Sequence, residues 1–161
     1  MEQRLGTGQV LFRSLPERMK QTTQVTSTRL TYAGILPFLC LGIATVMKLV
    51  GQDYGFALRV YGVVILSFLC GTHWAAHLFF PHQCQRNLLV ISNAITLIAY
   101  TSLIIAQQNT AFLIQSVCLV VLLRIDYELL TQGIIPHWYF QLRRNATVVV
   151  VSLLLALVIL S

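Results

Sequence analysis

A chain of 161 residues that is 57% hydrophobic and only 10% charged has too little charge to coat a water-facing surface, and its mean hydropathy of +0.75 excludes an ordinary soluble domain. The net charge of +6 does not point to nucleic acid, because Arg4, Arg13, Arg18, Lys20 and Arg29 precede the first apolar run and offer only Phe12 for base stacking. They read instead as the orienting charges of a membrane protein.

Residues 1–29 form a basic polar leader without the apolar core of a secretory signal, so the first span is expected to carry the chain to the membrane. Ser14 and Glu17 have capping-box spacing with Pro16 between them, and Leu5, Phe12, Leu15 and Met19 recur beside Arg13, Arg18 and Lys20. That fits a short interfacial helix on anionic lipid; Gly6, Gly8 and Pro16 favour the alternative, a flexible tail ending in the Thr-rich linker 21–28.

From residue 30 to 161 the pattern predicts an all-α, polytopic membrane protein, a bundle of five transmembrane helices at 30–50, 56–80, 88–106, 111–130 and 145–160. Each is near the ~20 residues that cross hydrocarbon. Connections at 51–55, 81–87 and 107–110 force antiparallel neighbours, whereas 132–144, with Pro136, Trp138, Tyr139 and Phe140, reads as an interfacial loop. Counting Lys and Arg by side places the N-terminus inside and the C-terminus outside, with the leader, Arg86, Arg143 and Arg144 on the inner side. Lys48 and Arg59 flank the first outer loop and are expected to snorkel, with Asp53 as their partner.

The first span is expected to bend near Ala33 because Pro37 follows it by four residues. The second centres on YGVVILSFLCGTHWAAH, residues 61–77. At ~100° per residue, Arg59, Val63, Cys70, Trp74 and His77 share one side, with Ser67 and Gly71 at one margin and His73 at the other. Small residues and cross-helix donors make this a bundle-facing seam. His73 and His77 also have the four-residue spacing of helical metal ligands, and His82 and His137 fall near the same inner end. A haem or metal site is thus a minor alternative, but no H-E-x-x-H glutamate accompanies the pair, and neither cofactor nor metal is predicted. Cys40, Cys70, Cys84 and Cys118 show no C-x-x-C pair and read as apolar packers.

In the third span Asn93, Thr96, Tyr100 and Gln107 recur at helical intervals, as do Asn145, Ser152 and Ala156 in the fifth; such stripes glue helices together. The fourth span carries Arg124, Asp126 and Glu128 near its inner end, where an unpaired charge in hydrocarbon costs ~2.5–3.5 kcal/mol. Arg124 and Glu128, four apart, can bond each other. Asp126, on the face of Gln115, Leu119 and Leu122, is left to pair with Arg86 or Arg143, or to serve a proton or cation relay. There is no G-x-S-x-G elbow, no phosphate-binding glycine loop and no second intramembrane aspartate, so no enzyme is predicted.

YGVVILSFLCGTHW at 61–74, GILPF at 34–38, and PHWYFQLR at 136–143 downstream of an aspartate together resemble a domain-of-unknown-function family that includes the mitochondrial transmembrane protein 69 and small proteobacterial inner-membrane proteins. The resemblance covers residues 30–160 and implies a multi-helix inner-membrane protein with no established reaction. It carries over Ser67, Gly71, Trp74, Asp126, Pro136, Trp138, Tyr139 and Arg143 as family features, and implies an Asp126 to Arg143 link. Glu2 and Glu17 in the leader are unlike an acid-poor transit peptide, which favours a bacterial inner membrane; a eukaryotic source would imply the mitochondrial one. Two functions are carried forward. One is a non-catalytic scaffold or assembly protein in the lipid bilayer, with a membrane-protein partner or a second copy. The other is a small-solute or proton-coupled transporter using Asp126, His73 and His77.

Overall fold

A computed structural model describes residues 17–48 and 53–160, and among these every regular element is a helix. The helices are α1 (Glu17–Val46), α2 (Tyr54–Phe79), α3 (Leu88–Ile105), α4 (Gln108–Thr131) and α5 (His137–Leu160). Each packs on its neighbours in chain order, and α5 returns to α1 to close a ring; α2 and α4 also meet across the middle. Four of the five, α1 from Gln21, α2, α3 and α5, are long and apolar enough to cross a membrane. α4 is the most buried helix and the one bearing Arg124, Asp126 and Glu128.

Large apolar side chains face outward on every helix, among them Leu36, Phe68, Leu97, Val117 and Ile159. Water would not tolerate such a continuous surface, and lipid does, so the chain is built to be embedded in a membrane.

Local sequence explains the helix ends. Asp53 caps α2 by accepting from the Phe56 N–H at 2.8 Å, and Asn87 caps α3 through the Val90 N–H. α4 stops at a Schellman turn: Gly133, at φ 72°, takes the left-handed conformation, and the Ile134 N–H reaches back to the Leu129 carbonyl at 2.9 Å. The carbonyl of Pro136 then accepts from the Tyr139 and Phe140 N–H groups to begin α5.

Several boundaries differ from the expected ones. α1 starts at Glu17, so the Thr-rich stretch 21–28 is helical rather than a linker; the Thr22 hydroxyl folds back onto the Arg18 carbonyl, which suits a helix. Ser14 of the expected capping box with Glu17, Pro16, and the interfacial pattern of Leu5, Phe12 and Leu15 lie outside the described residues. The loop expected over 132–144 shrinks to 132–136, because Gly133 and Pro136 punctuate the chain and everything from His137 onward is helix-compatible. α1 runs on through Pro37, and the Tyr61 hydroxyl donates to the Gly34 carbonyl at 2.9 Å, beside the Ala33 carbonyl that the proline leaves without its usual donor.

Two faces also turn out rotated. The polar stripes Asn93/Tyr100 and Asn145/Ser152/Ala156 face outward, while Leu88, Ser92, Ile95, Ala99 and Ser102 fill the inner face of α3. The buried serines satisfy themselves on their own helix, Ser92 on Leu88 and Ser102 on Ala99, and so need no partner across the interface. Asp53, occupied as a cap, does not pair with Arg59; the latter reaches the Ala106 carbonyl at 3.4 Å and covers the Phe56 ring.

Candidate functional site

His73 precedes the end of α2 by six residues, Asp126 the end of α4 by five, and Arg143 follows the start of α5 by six. At 1.5 Å per residue all three lie roughly 8–9 Å in from the same end of the bundle. They meet there. Arg143 Nε donates to Asp126 Oδ2 at 3.1 Å, and His73 Nε2 lies 3.0 Å from Asp126 Oδ1, with the three residues only 7%, 2% and 1% exposed in that order. One carboxylate therefore ties three helices together where an isolated charge would be costly.

The imidazole bridges two helices. His73 Nδ1 faces the Leu69 carbonyl of its own helix at 3.0 Å, and a carbonyl can only accept. Nε2 faces a carboxylate oxygen at the same distance, so both ring nitrogens face acceptors.

Arg143 Nη2 is buried and has no acceptor among the described residues. Arg143 also lines a cavity of about 430 Å³ enclosed by α1, α2 and α5, with Leu119 of α4 at its back. Ile35, Phe38, Ile65, Leu69 and Val150 make the walls apolar; Thr72, Tyr139 and Thr147 join Arg143 as its polar groups. The Thr72 hydroxyl donates to the Leu69 carbonyl at 2.7 Å. Asp126 does not line the cavity.

The other expected residues divide. Asp126 and Arg143 pair as the sequence implied, and Arg124 Nη2 lies 3.7 Å from Glu128, which Arg86 joins from the loop before α3 at 3.4 Å. Pro136 supplies its carbonyl to start α5, and Trp138 packs edge-on against Tyr139, their centroids 5.9 Å apart. Ser67 is half-buried, whereas Gly71 and Trp74 face outward, and nothing lies within 4 Å of a Cβ built at Gly71. The inner face of α2 is Gly55, Leu58, Gly62, Val63, Leu66, Leu69, Cys70 and His73, so the expected seam keeps Val63 and Cys70 inward but turns toward His73 and away from Trp74. His73, one turn deeper than His77, meets Asp126; His77 Nδ1 is buried without a partner, and His82 and His137 are exposed. Among the described residues no three His, Cys, Asp or Glu side chains converge as metal ligands, so the suggested inner histidine cluster does not form.

Sequence reading missed a second α2–α4 contact. Gln115, fully buried, donates from Nε2 to the Arg59 carbonyl at 2.9 Å, and its amide lies flat on Gly62, where a Cβ would overlap its oxygen. Gln108 covers Gly55 one heptad earlier in the same way. Matching seven-residue spacing of two glycines and two glutamines was the available signal.

A family model described as "Protein of unknown function (DUF3429)" matches residues 23–159. The chain belongs to this family. The DUF3429 match takes in all but the first turns of α1 and the last residue of α5, and so includes His73, Asp126, Arg143 and the cavity. No curated protein and no solved structure matches the chain.

Proposed function

We propose that this is a five-span integral protein of a bacterial inner membrane, N-terminus inside and C-terminus outside, that acts without catalysis as a scaffold or assembly partner for another membrane protein or a second copy. For a eukaryotic source the mitochondrial inner membrane takes the place of the bacterial one. α4 is the fifth span on this reading, its charges made tolerable by their partners within the bundle: Asp126 is held by His73 and Arg143, and Glu128 by Arg86 and Arg124. Arg86, Arg143 and Arg144 gather at the bundle end where α1 begins with Arg18 and Arg29, which supports that end as the inner one.

The observation that carries the scaffold reading is the outward position of Asn93 and Tyr100 on α3 and of Asn145 and Ser152 on α5. Lipid offers such groups no hydrogen bond, and a neighbouring helix does. The transport reading needs Asp126 on a polar passage, whereas both its oxygens are engaged and the adjoining cavity is chiefly apolar.

Mild-detergent affinity purification of the full chain tests the proposal. A stoichiometric membrane-protein companion or a second copy supports it, with loss of that companion on Asn93→Leu or Asn145→Leu. A monomer that carries protons or solute across reconstituted vesicles replaces it with transport.

A further inference from the structure

α3 packs on α2 and α4 through Leu88, Ser92, Ile95, Ala99 and Ser102, and the opposite side of the helix faces away from the bundle. On that side Val90, Asn93, Leu97, Tyr100 and Ile104 follow one another at intervals of three, four, three and four residues, and all five are exposed. This is the seven-residue spacing of a coiled-coil seam: Val90, Leu97 and Ile104 stand at one core position, Asn93 and Tyr100 at the other. Asn93 and Tyr100 are thus the polar half of one regular seam.

α3 is 18 residues long, about 27 Å, and carries no charged residue, so it crosses a hydrocarbon core of ~30 Å with Asn93 and Tyr100 each about 8 Å in from an end. The Tyr100 side chain is long enough to turn its hydroxyl toward the interface; the short Asn93 amide is not. No described residue hydrogen-bonds that amide, and lipid tails offer it nothing. Asn145 on α5 differs, because the exposed Arg144 beside it draws headgroups to its level. Asn93 is therefore the outward polar group that only a neighbouring helix can satisfy.

We propose that α3 is the self-association face of this protein: two copies pair α3 on α3, in parallel, about a two-fold axis along the membrane normal, with Asn93 hydrogen-bonded to Asn93 of the other copy. This rests on the reading that the outward polar groups of the bundle meet a neighbouring helix, and it names that helix. All copies insert with the same orientation, so an isologous pair needs its two-fold along the normal, which sets α3 parallel to α3. In a parallel pair each core position meets itself. An amide meeting an amide donates through its N–H and accepts through its oxygen, so Asn93 is complementary to its own copy. The same rotation brings Tyr100 onto Tyr100 one heptad further and closes Val90, Leu97 and Ile104 around them, while the single Asn layer fixes the register. α3 bears no charge through which an unlike partner could be chosen.

The full chain is expressed in a Cys40→Ala, Cys84→Ala background, which leaves only the buried Cys70 and Cys118, and single cysteines placed along α3 are oxidised in native membrane vesicles with copper phenanthroline. Disulfide-linked dimers are expected from Val90→Cys, Leu97→Cys and Ile104→Cys, and not from Ile98→Cys or Ile105→Cys, which are exposed on the same helix but about 100° around it. In density-matched micelles, sedimentation equilibrium is expected to show a wild-type dimer that Asn93→Leu weakens about fivefold or more and that Asn93→Gln, which keeps an amide, largely preserves. Asn93 faces outward, so neither variant disturbs the fold. Cross-linking that ignores the seam, or a dimer indifferent to Asn93→Leu, overturns the proposal. A dimer that cross-links through Ser152→Cys on α5 instead, or a different protein seated on α3, overturns it while the scaffold reading stands. A chain that is monomeric in both membranes and micelles, with no companion, overturns both.

Discussion

Nε2 of His73 approaches Oδ1 of Asp126 to 3.0 Å across the α2–α4 interface, while Nδ1 of the same ring is already committed to the Leu69 carbonyl. Both ring nitrogens thus face acceptors, and a hydrogen on each would satisfy both contacts. Nitrogen NMR of the histidine-labelled protein is expected to show both His73 nitrogens protonated; if the proton resides on the carboxyl, infrared spectroscopy shows a protonated carboxylic C=O band that Asp126→Asn removes. A single neutral tautomer beside an ionised carboxylate contradicts that expectation.

Asp126 is the common acceptor of three helices, so removing it leaves Arg143 and His73 buried with donors unmet. Asp126→Ala is expected to cost about 3–5 kcal/mol in mixed-micelle denaturation, the range for breaking one side of a buried ion pair. Trp74→Leu, on the outward face of the same α2, is expected to change stability by less than about 1 kcal/mol.

Gly62 and Gly71 of α2 should respond in opposite ways. At Gly62 a Cβ overlaps the Gln115 amide, so Gly62→Ala is expected to destabilise by about 1–3 kcal/mol, with partial recovery on adding Gln115→Ala. At Gly71 the space is open, and Gly71→Ala should leave stability unchanged or raise it by up to about 1 kcal/mol through helix propensity. Thermal unfolding in one detergent compares the three variants.

Cys84 lies between α2 and α3, half-buried, and burial pushes its thiol above the usual range by disfavouring the thiolate. Since the thiolate is the nucleophile, the folded protein at a given pH holds less of it than the denatured chain does. Alkylation of Cys84 is expected to follow a pH curve displaced to higher pH in the folded state, the displacement vanishing on denaturation.

The five helices were legible because apolar runs of bilayer length separated by Gly, Pro and Asn leave little alternative. The Asp126–Arg143 pair was legible for a related reason: a carboxylate in an apolar helix must find a cation, and few are within reach. Rotation about each helix axis was harder to read. α2 is apolar on most of its surface, so periodicity could not distinguish the His73 face from the His77 and Trp74 face, and the decisive marker was Gly62, whose role depends on Gln115 of another helix. In α3 and α5 the polar stripes misled because Ser92, Ser102 and Thr147 enter the interior while Asn93 and Asn145 remain outside. The cavity left no trace in the sequence, since its walls come from four helices.

Asp126 and Arg143 hold α4 and α5 together as an energetically coupled pair. A double-mutant cycle of Asp126→Asn and Arg143→Gln, followed by mixed-micelle denaturation, measures that coupling directly. A coupling of about 2 kcal/mol or more is predicted for a buried pair; losses that add to within about 0.5 kcal/mol would contradict the account.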